Sequence, residues 1–174
     1  CVLLNIRNVM EVITLKLRRR LGKKGSLAIM EVVNIIIIVL IFATLVNLII
    51  ISTQYLHLSK IGNEVARTIA VQSGLRTSTP ANYPGGSKGY YTTSEMFDYL
   101  SKNLEASHFE DYYLIINGTK MTPTKSITFD YKDPIEIELA AEYKWIALDA
   151  FIPGLSNREQ FIVVNKTVYA EYLN

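Results

Sequence analysis

The side chains that could perform catalysis or bind a cofactor are few and widely spaced. His57 and His108 lie on separate predicted elements, and the sequence has no H-E-x-x-H, G-x-S-x-G or Cys-His arrangement. Gly85 and Gly86 form a Gly-Gly step, but the phosphate-loop pattern G-x-x-x-x-G-K-S/T is missing. We therefore predict that the chain is not an enzyme and has no catalytic residue and no cofactor.

Three carboxylates share one face of a predicted strand and could offer oxygen ligands to calcium: Glu136, Glu138 and Glu142. Strand geometry spreads them along ~20 Å, and the glycine of a calcium-binding loop is missing. We interpret them as a solvated strand face and predict no metal site.

One carboxylate has an unusual setting, because Glu31 interrupts a near-continuous apolar run from Leu27 to Ile51. An unpaired carboxylate inside an apolar membrane helix costs about 2.5 to 3.5 kcal/mol on insertion scales, so it should find a partner, protonate or reach the interface. Glu31 lies roughly 6 Å into the run by helical rise, which is close enough to snorkel toward headgroups. An interfacial position and a partnered position both remain open.

Other polar residues of the run fall into two patches. At ~100° per residue, Asn34 lies about 60° from Glu31, whereas Thr44 and Asn47 fall on roughly the opposite side. Contacts with two different neighbouring helices would explain both patches. The alternative is that an asparagine bonds its own backbone or snorkels.

The apolar run predicts a helix that crosses a membrane. About 25 residues at a rise of ~1.5 Å exceed the ~30 Å hydrocarbon core. Six cations precede the run, which keeps the N-terminus cytoplasmic by the positive-inside rule: Lys16, Arg18, Arg19, Arg20, Lys23 and Lys24. We therefore expect a single-pass membrane protein whose C-terminal part is extracytoplasmic.

The charge is divided between the two sides of this span. Residues 1–26 carry seven cations and one anion, whereas residues 53–174 carry eleven cations and fourteen anions. The positive charge is concentrated where anionic headgroups are the nearest partner, so we predict contact with membrane lipid and no nucleic-acid binding. The only cysteine is Cys1, so no disulfide can stabilise the extracytoplasmic part.

A basic stretch, then Gly25, Ser26 and an apolar helix with Glu31 have the layout of a prepilin leader. Over residues 16–75 the sequence resembles the pilin and pseudopilin class, most closely its TadE-like branch. The resemblance implies leader processing at Gly25 and Ser26 by a prepilin peptidase. Cleavage after Gly25 makes Glu31 the sixth mature residue, whereas cleavage after Ser26 makes it the fifth, as is usual in the class.

The resemblance also implies a way of assembling. Glu31 would pair with the N-terminal ammonium of a neighbouring subunit, and Glu31 and Asn34 are the candidate assembly residues. The expected function is a structural or minor subunit of a bacterial surface pilus or secretion pseudopilus, with other pilin-like subunits as partners. The alternative is a membrane-tethered extracytoplasmic binding or accessory domain that does not polymerise.

The predicted organisation has four parts. A basic cytoplasmic leader covers residues 1–26, the transmembrane helix residues 27–52, the outer continuation of the helix residues 53–75, and an extracytoplasmic α+β domain residues 76–174. The outer helix has an apolar stripe that something must cover, formed by Leu58, Ile61, Val65 and Ile69. On the other face of the outer helix, the spacing of Glu64 from Lys60 and Arg67 predicts ion pairs with both cations. Gly74 is the predicted cap at the C-terminal end of the helix.

The extracytoplasmic domain is predicted to hold a short helix and an antiparallel sheet. A loop over residues 76–93 carries Tyr83, Tyr90 and Tyr91, and loop tyrosines also suit adhesion. The helix is expected over Ser94 to Ser107 with Ser94 as N-cap. The expected strands, with an Asn117-Gly118 turn after the first, are Tyr112 to Ile116, Thr119 to Thr122, Ile135 to Trp145 and Phe161 to Tyr172.

Overall fold

The computed structural model describes residues 23–84, 86–109, 111–143, 148, 151–152 and 160–171. Most of the predicted leader, Trp145 and Tyr172 lie outside these residues. The chain forms two units, residues 1–47 and residues 48–174. The elements in chain order are α1 (Lys23–Gln72), β1 (Gly74–Leu75), a 3₁₀ turn (Gly86–Gly89), α2 (Thr93–Ala106), β2 (Tyr112–Ile116), β3 (Thr119–Lys120), β4 (Ile127–Thr128), β5 (Pro134–Glu142) and β6 (Phe161–Tyr169).

Helix α1 is 50 residues long and begins at Lys23, four residues before the predicted start. Lysine is a good helix former, and extending an existing helix by a turn avoids a new nucleation step. Gly25 and Ser26 therefore lie in the first turn of α1 and not in front of it.

The C-terminal end of α1 differs from the predicted glycine cap. Ser73 adopts the left-handed conformation that ends the helix, with a φ of 53°, and its N–H donates to the Ala70 carbonyl. Gly74 has a φ of 132° and belongs to β1, opposite Thr128 of β4. A Cβ at Gly74 would lie 2.2 Å from the Ile127 carbonyl oxygen, so the glycine permits the close approach of two backbones.

Four strands form an antiparallel sheet in the order β3-β2-β5-β6. Strands β2 and β3 form the predicted hairpin, with Asn117 and Gly118 both at positive φ as a two-residue turn requires. Strands β5 and β6 pair without interruption from Pro134 opposite Tyr169 to Glu142 opposite Phe161. Together with α1 and α2, this sheet confirms the predicted α+β class.

The inner face of the sheet follows the predicted alternation. Ile135, Ile137 and Leu139 are buried, while Glu136 between them is exposed. Ala140 departs from the pattern, because it lies on the predicted wet face and is fully buried. Its cross-strand neighbours are Tyr113 and Val163, and larger side chains on either side cover a methyl group.

The apolar stripe of α1 is covered within residues 48–174. Its four members are all buried, and they belong to one hydrophobic core with the inner residues of β2, β5 and β6 and the apolar residues of α2. Gly62 faces the sheet, and a Cβ there would make ordinary van der Waals contacts with Val164 at 3.4 Å and Leu139 at 4.0 Å. Each fully buried aliphatic side chain contributes about 1.5 to 3 kcal/mol, so this stripe is a main source of stability.

Helix α2 begins one residue before the predicted start, and its N-cap is Thr92 and not Ser94. The Thr92 hydroxyl accepts from the Glu95 N–H at 3.3 Å, and the Glu95 carboxylate accepts from the Thr92 N–H at 2.8 Å. This reciprocal pair is a capping box, whose T-x-x-E pattern is visible in the sequence. Met96, Leu100 and Leu104 then bury the apolar side of the helix.

Candidate functional site

The part of α1 in the first unit exposes large apolar side chains in most of its turns. Leu27, Ile38 and Phe42 are each more than 60% exposed. Within the described residues, α1 alone has the length and composition that crossing a membrane requires. Exposed apolar surface of this extent is typical of helices that contact lipid or a partner protein.

Glu31 and Asn34 lie one turn apart on this exposed part of α1. Both side chains are exposed, and neither makes a hydrogen bond or ion pair to any other residue that the structure describes. Gly25 and Ser26 precede Glu31 by less than two turns of the same helix. The residues predicted for leader processing and those predicted for assembly therefore share one short helical segment.

The two residues of the second polar patch, Thr44 and Asn47, have different environments. The Thr44 hydroxyl donates to the Leu40 carbonyl of its own helix at 2.8 Å, which satisfies it without a neighbour. Ser52 and Thr53 do the same toward Leu48 and Ile49. Asn47, in contrast, is 1% exposed. The backbone bond that we considered for an asparagine is therefore made by Thr44, and the alternative for the asparagines stays a prediction.

The predicted ion pairs of Glu64 with Lys60 and Arg67 are wrong. Among the described residues, Glu64 accepts a hydrogen bond from the Tyr99 hydroxyl of α2 and forms no ion pair with either cation. Partial burial, this hydrogen bond and the Glu64 charge raise the pKa of Tyr99 to about 12. Nothing local in the sequence indicated this contact, because Glu64 and Tyr99 are 35 positions apart.

The loop after β1 is held to the helix it follows. Gln72 is buried, and its side-chain amide faces the backbone of Tyr91. With the amide oxygen oriented toward the Tyr91 N–H, Gln72 accepts from that N–H at 2.5 Å and donates to the Tyr91 carbonyl at 3.2 Å. The Thr93 N–H donates to the Arg76 carbonyl at 2.8 Å. These bonds fix the backbone of Tyr91 against α1.

The three loop tyrosines have different environments. Tyr90 is 3% exposed and meets the Tyr83 ring edge to face at 4.9 Å, and burial raises the pKa of Tyr90. Tyr91 is 47% exposed. Of the three, Tyr91 is therefore the best placed to meet a partner, and Tyr90 serves the packing of the loop.

The strand carboxylates do not converge on one point. Glu136 and Glu138 follow one another along the outer face of β5, opposite Thr167 and Asn165 of β6. Among the described residues, no group of three His, Cys, Asp or Glu side chains is close enough to hold a metal ion.

No protein-family model matches the chain, and no curated protein or solved structure is significantly similar to it.

Proposed function

We propose that the chain is a membrane-embedded subunit of the TadE-like pilin class, a structural or minor component of a bacterial surface pilus or secretion pseudopilus. The observation that supports this most is a contrast along α1. Large apolar side chains are exposed from Leu27 to Ile49, whereas the apolar stripe from Leu58 to Ile69 is buried. The first part needs lipid or neighbouring helices around it, and the second part is used by the fold itself.

The proposed topology follows from the charges beside this exposed segment. The cations before Leu27 keep the N-terminus in the cytoplasm, and residues 53–174 lie on the other side of the membrane. A prepilin peptidase acting on the cytoplasmic side would meet Gly25 and Ser26 in the first turn of α1. Terminal turns of helices fray, so an enzyme can reach a bond there in an extended form.

Glu31 is the residue on which assembly depends in this proposal. Its carboxylate is exposed on an apolar helix, where an unpaired charge is costly in lipid. Cleavage at Gly25 or Ser26 creates an ammonium a few residues away in each copy of the chain. The ammonium of a neighbouring copy would neutralise Glu31, and Asn34 one turn away would add a polar contact.

Leader processing is tested by the mass of the protein extracted from membranes. The expected mature chain begins at Ser26 or Leu27, and Gly25→Leu should block the cut because a bulky side chain prevents close approach of the enzyme to the backbone. Ala28→Leu, on the mature side of the cut, is the control and should still be processed. An unchanged mature mass for Gly25→Leu would contradict the proposal.

Assembly is tested by crosslinking in the membrane through a single introduced cysteine, in a chain whose Cys1 is replaced by serine. Ile49 and Leu56 are suitable positions because both are more than 65% exposed, whereas Ile61 and Val65 are buried in the core. Glu31→Ala should insert normally and lose crosslinking, since it leaves a buried ammonium without a partner. Val32→Ala is the matched control, and equal crosslinking in both variants would argue against an assembly role for Glu31.

A second function, a tethered binding or accessory domain that does not polymerise, is favoured by one observation. The stripe of the outer helix is already covered by the sheet of the same chain, so residues 48–174 need no neighbour to complete their core. An uncleaved leader together with weak crosslinking at Ile49 and Leu56 in the unmodified chain would support this function over the first.

A further inference from the structure

A groove lies between α1 and α2 on the surface of the unit formed by residues 48–174. Val65 and Met96, both buried, contribute its apolar part, and Tyr91 is largely exposed beside it. We refer to it as the α1–α2 groove, and its lining residues are Glu64, Val65, Thr68, Tyr91, Met96 and Tyr99.

Both tyrosines of the groove are positioned by side chains of α1. The buried amide of Gln72 faces the backbone of Tyr91, and with its oxygen toward the Tyr91 N–H it bonds both that N–H and the Tyr91 carbonyl. The hydroxyl of Tyr99 donates to the Glu64 carboxylate. The backbone of Tyr91 and the side chain of Tyr99 are thus positioned beside one carboxylate before any partner arrives, which lowers the entropic cost of binding.

The polar atoms of the groove suit a cation and not an anion. The Thr68 hydroxyl donates to the Glu64 carbonyl at 2.9 Å, and the Tyr99 hydroxyl donates to the Glu64 carboxylate, so two of the three hydroxyl hydrogens of the lining residues are used within the protein. Glu64 has the one carboxylate among the lining residues, and it is not paired with Lys60 or Arg67 in the described structure. A negative charge beside aromatic rings attracts cations.

We propose that the α1–α2 groove binds an arginine side chain of a partner polypeptide. A planar guanidinium can stack on a tyrosine ring and pair with the Glu64 carboxylate at the same time, which the compact ammonium of lysine does less well. This site does not depend on filament assembly, because it uses only residues of the second unit.

The test uses the full chain in detergent micelles, with ¹³C-labelled methionine methyl groups as reporters. The sequence has four methionines, so Met96 in the groove and Met121 in the core can be assigned by substitution with leucine. N-acetyl-arginine amide should shift the Met96 resonance in a saturable way and leave Met121 unmoved. The neutral isostere N-acetyl-citrulline amide should shift neither.

Three variants identify the groups that bind. Glu64→Gln and Tyr91→Leu should each raise the apparent Kd for N-acetyl-arginine amide by about tenfold, whereas Glu105→Gln, on the exposed side of α2, should not change it. An unchanged Met121 resonance shows that each variant is folded. Equal Met96 shifts with the citrulline derivative, no Met96 shift with the arginine derivative, or full affinity in Glu64→Gln would overturn the proposal.

Discussion

The hydroxyl of Tyr99 donates a hydrogen bond to the carboxylate of Glu64 and so ties α2 to α1 across 35 positions of sequence. The same carboxylate has cations four residues before it and three residues after it, at Lys60 and Arg67. An exposed helix ion pair is worth only about 0.3 to 0.5 kcal/mol, whereas a hydrogen bond to a charged group contributes about 1.5 to 3 kcal/mol. The tertiary contact therefore determines where Glu64 points.

Removing the Tyr99 hydroxyl should destabilise the second unit. Tyr99→Phe is expected to lower the free energy of unfolding by about 1.5 to 3 kcal/mol, because the ring stays partly buried while the bond to Glu64 is lost. Urea titration of the full chain in micelles, followed by the fluorescence of the single tryptophan, measures this change. In the double variant with Glu64→Gln the two effects should not add, and full additivity would show that the residues are not coupled.

The same hydrogen bond predicts a loss of stability at high pH. Partial burial and the bond to Glu64 raise the pKa of Tyr99 from 10.0 to about 12, so folding favours the neutral phenol. Its contribution is fully present below the unfolded pKa of 10.0 and is lost as the pH rises through about 12.

Comparison with Tyr99→Phe isolates this contribution from the other tyrosines. Burial also raises the pKa values of Tyr90, Tyr112 and Tyr113, so the whole unit should weaken at high pH. The difference in unfolding free energy between the unmodified chain and Tyr99→Phe should be constant near neutral pH and shrink above about pH 10. A difference that is independent of pH in this range would contradict the assignment.

Gly74→Ala should cost more stability than any other glycine-to-alanine change at a positive φ in the described structure. Its Cβ would lie 2.2 Å from the Ile127 carbonyl oxygen, so the β1–β4 pair must separate. We expect a loss of more than about 2 kcal/mol in the free energy of unfolding. Gly118→Ala is the control, because Gly118 also has a positive φ of 72° but has no atom within 4 Å of the added Cβ.

The Gly118→Ala variant separates strain from collision. It should lose only about 1 to 2 kcal/mol, the cost of a left-handed backbone with a side chain. Equal losses in the two variants would mean that backbone strain alone explains both, and that the close approach at Ile127 contributes nothing.

Thr92→Ala should weaken α2, whereas Ser94→Ala should not. The Thr92 side chain accepts from the Glu95 N–H, and N-cap replacements of this kind cost about 1 kcal/mol. Ser94 is exposed and lies inside the helix, where alanine is the better helix former. Thermal unfolding of both variants in micelles decides between the two residues, and a larger loss for Ser94→Ala would restore it as the cap.

The capping box also makes the stability of α2 depend on pH in the acidic range. The hydrogen bond from the Thr92 backbone N–H, with a second from its side chain, lowers the pKa of Glu95. The bond is therefore fully formed above the ordinary glutamate pKa and weakens as the pH falls through the lower value in the folded protein. Glu95→Gln removes the titrating carboxylate and should therefore reduce this pH dependence, and an unchanged acid profile in that variant would contradict the capping role of Glu95.

The sequence by itself determined several of the local elements of this protein. A strand alternates apolar residues with a period of two and a helix repeats them at three and four positions, so Ile135 to Leu139 and the stripe from Leu58 to Ile69 could be recognised without a structure. The Asn117-Gly118 turn was equally readable, since few other residues tolerate its backbone angles. The length of the exposed apolar segment after Leu27 is also a property of sequence alone.

Only the tertiary structure decided which residues pack against each face of a helix or strand. Periodicity identifies the buried side of the outer helix, but it does not say that the sheet of the same chain covers it. The burial of Ala140, the position of Gly74 against Ile127 and the bond between Glu64 and Tyr99 all depend on residues far away in the sequence. Local patterns reflect the preferences of a few neighbouring residues, whereas these contacts form only when distant segments pack together.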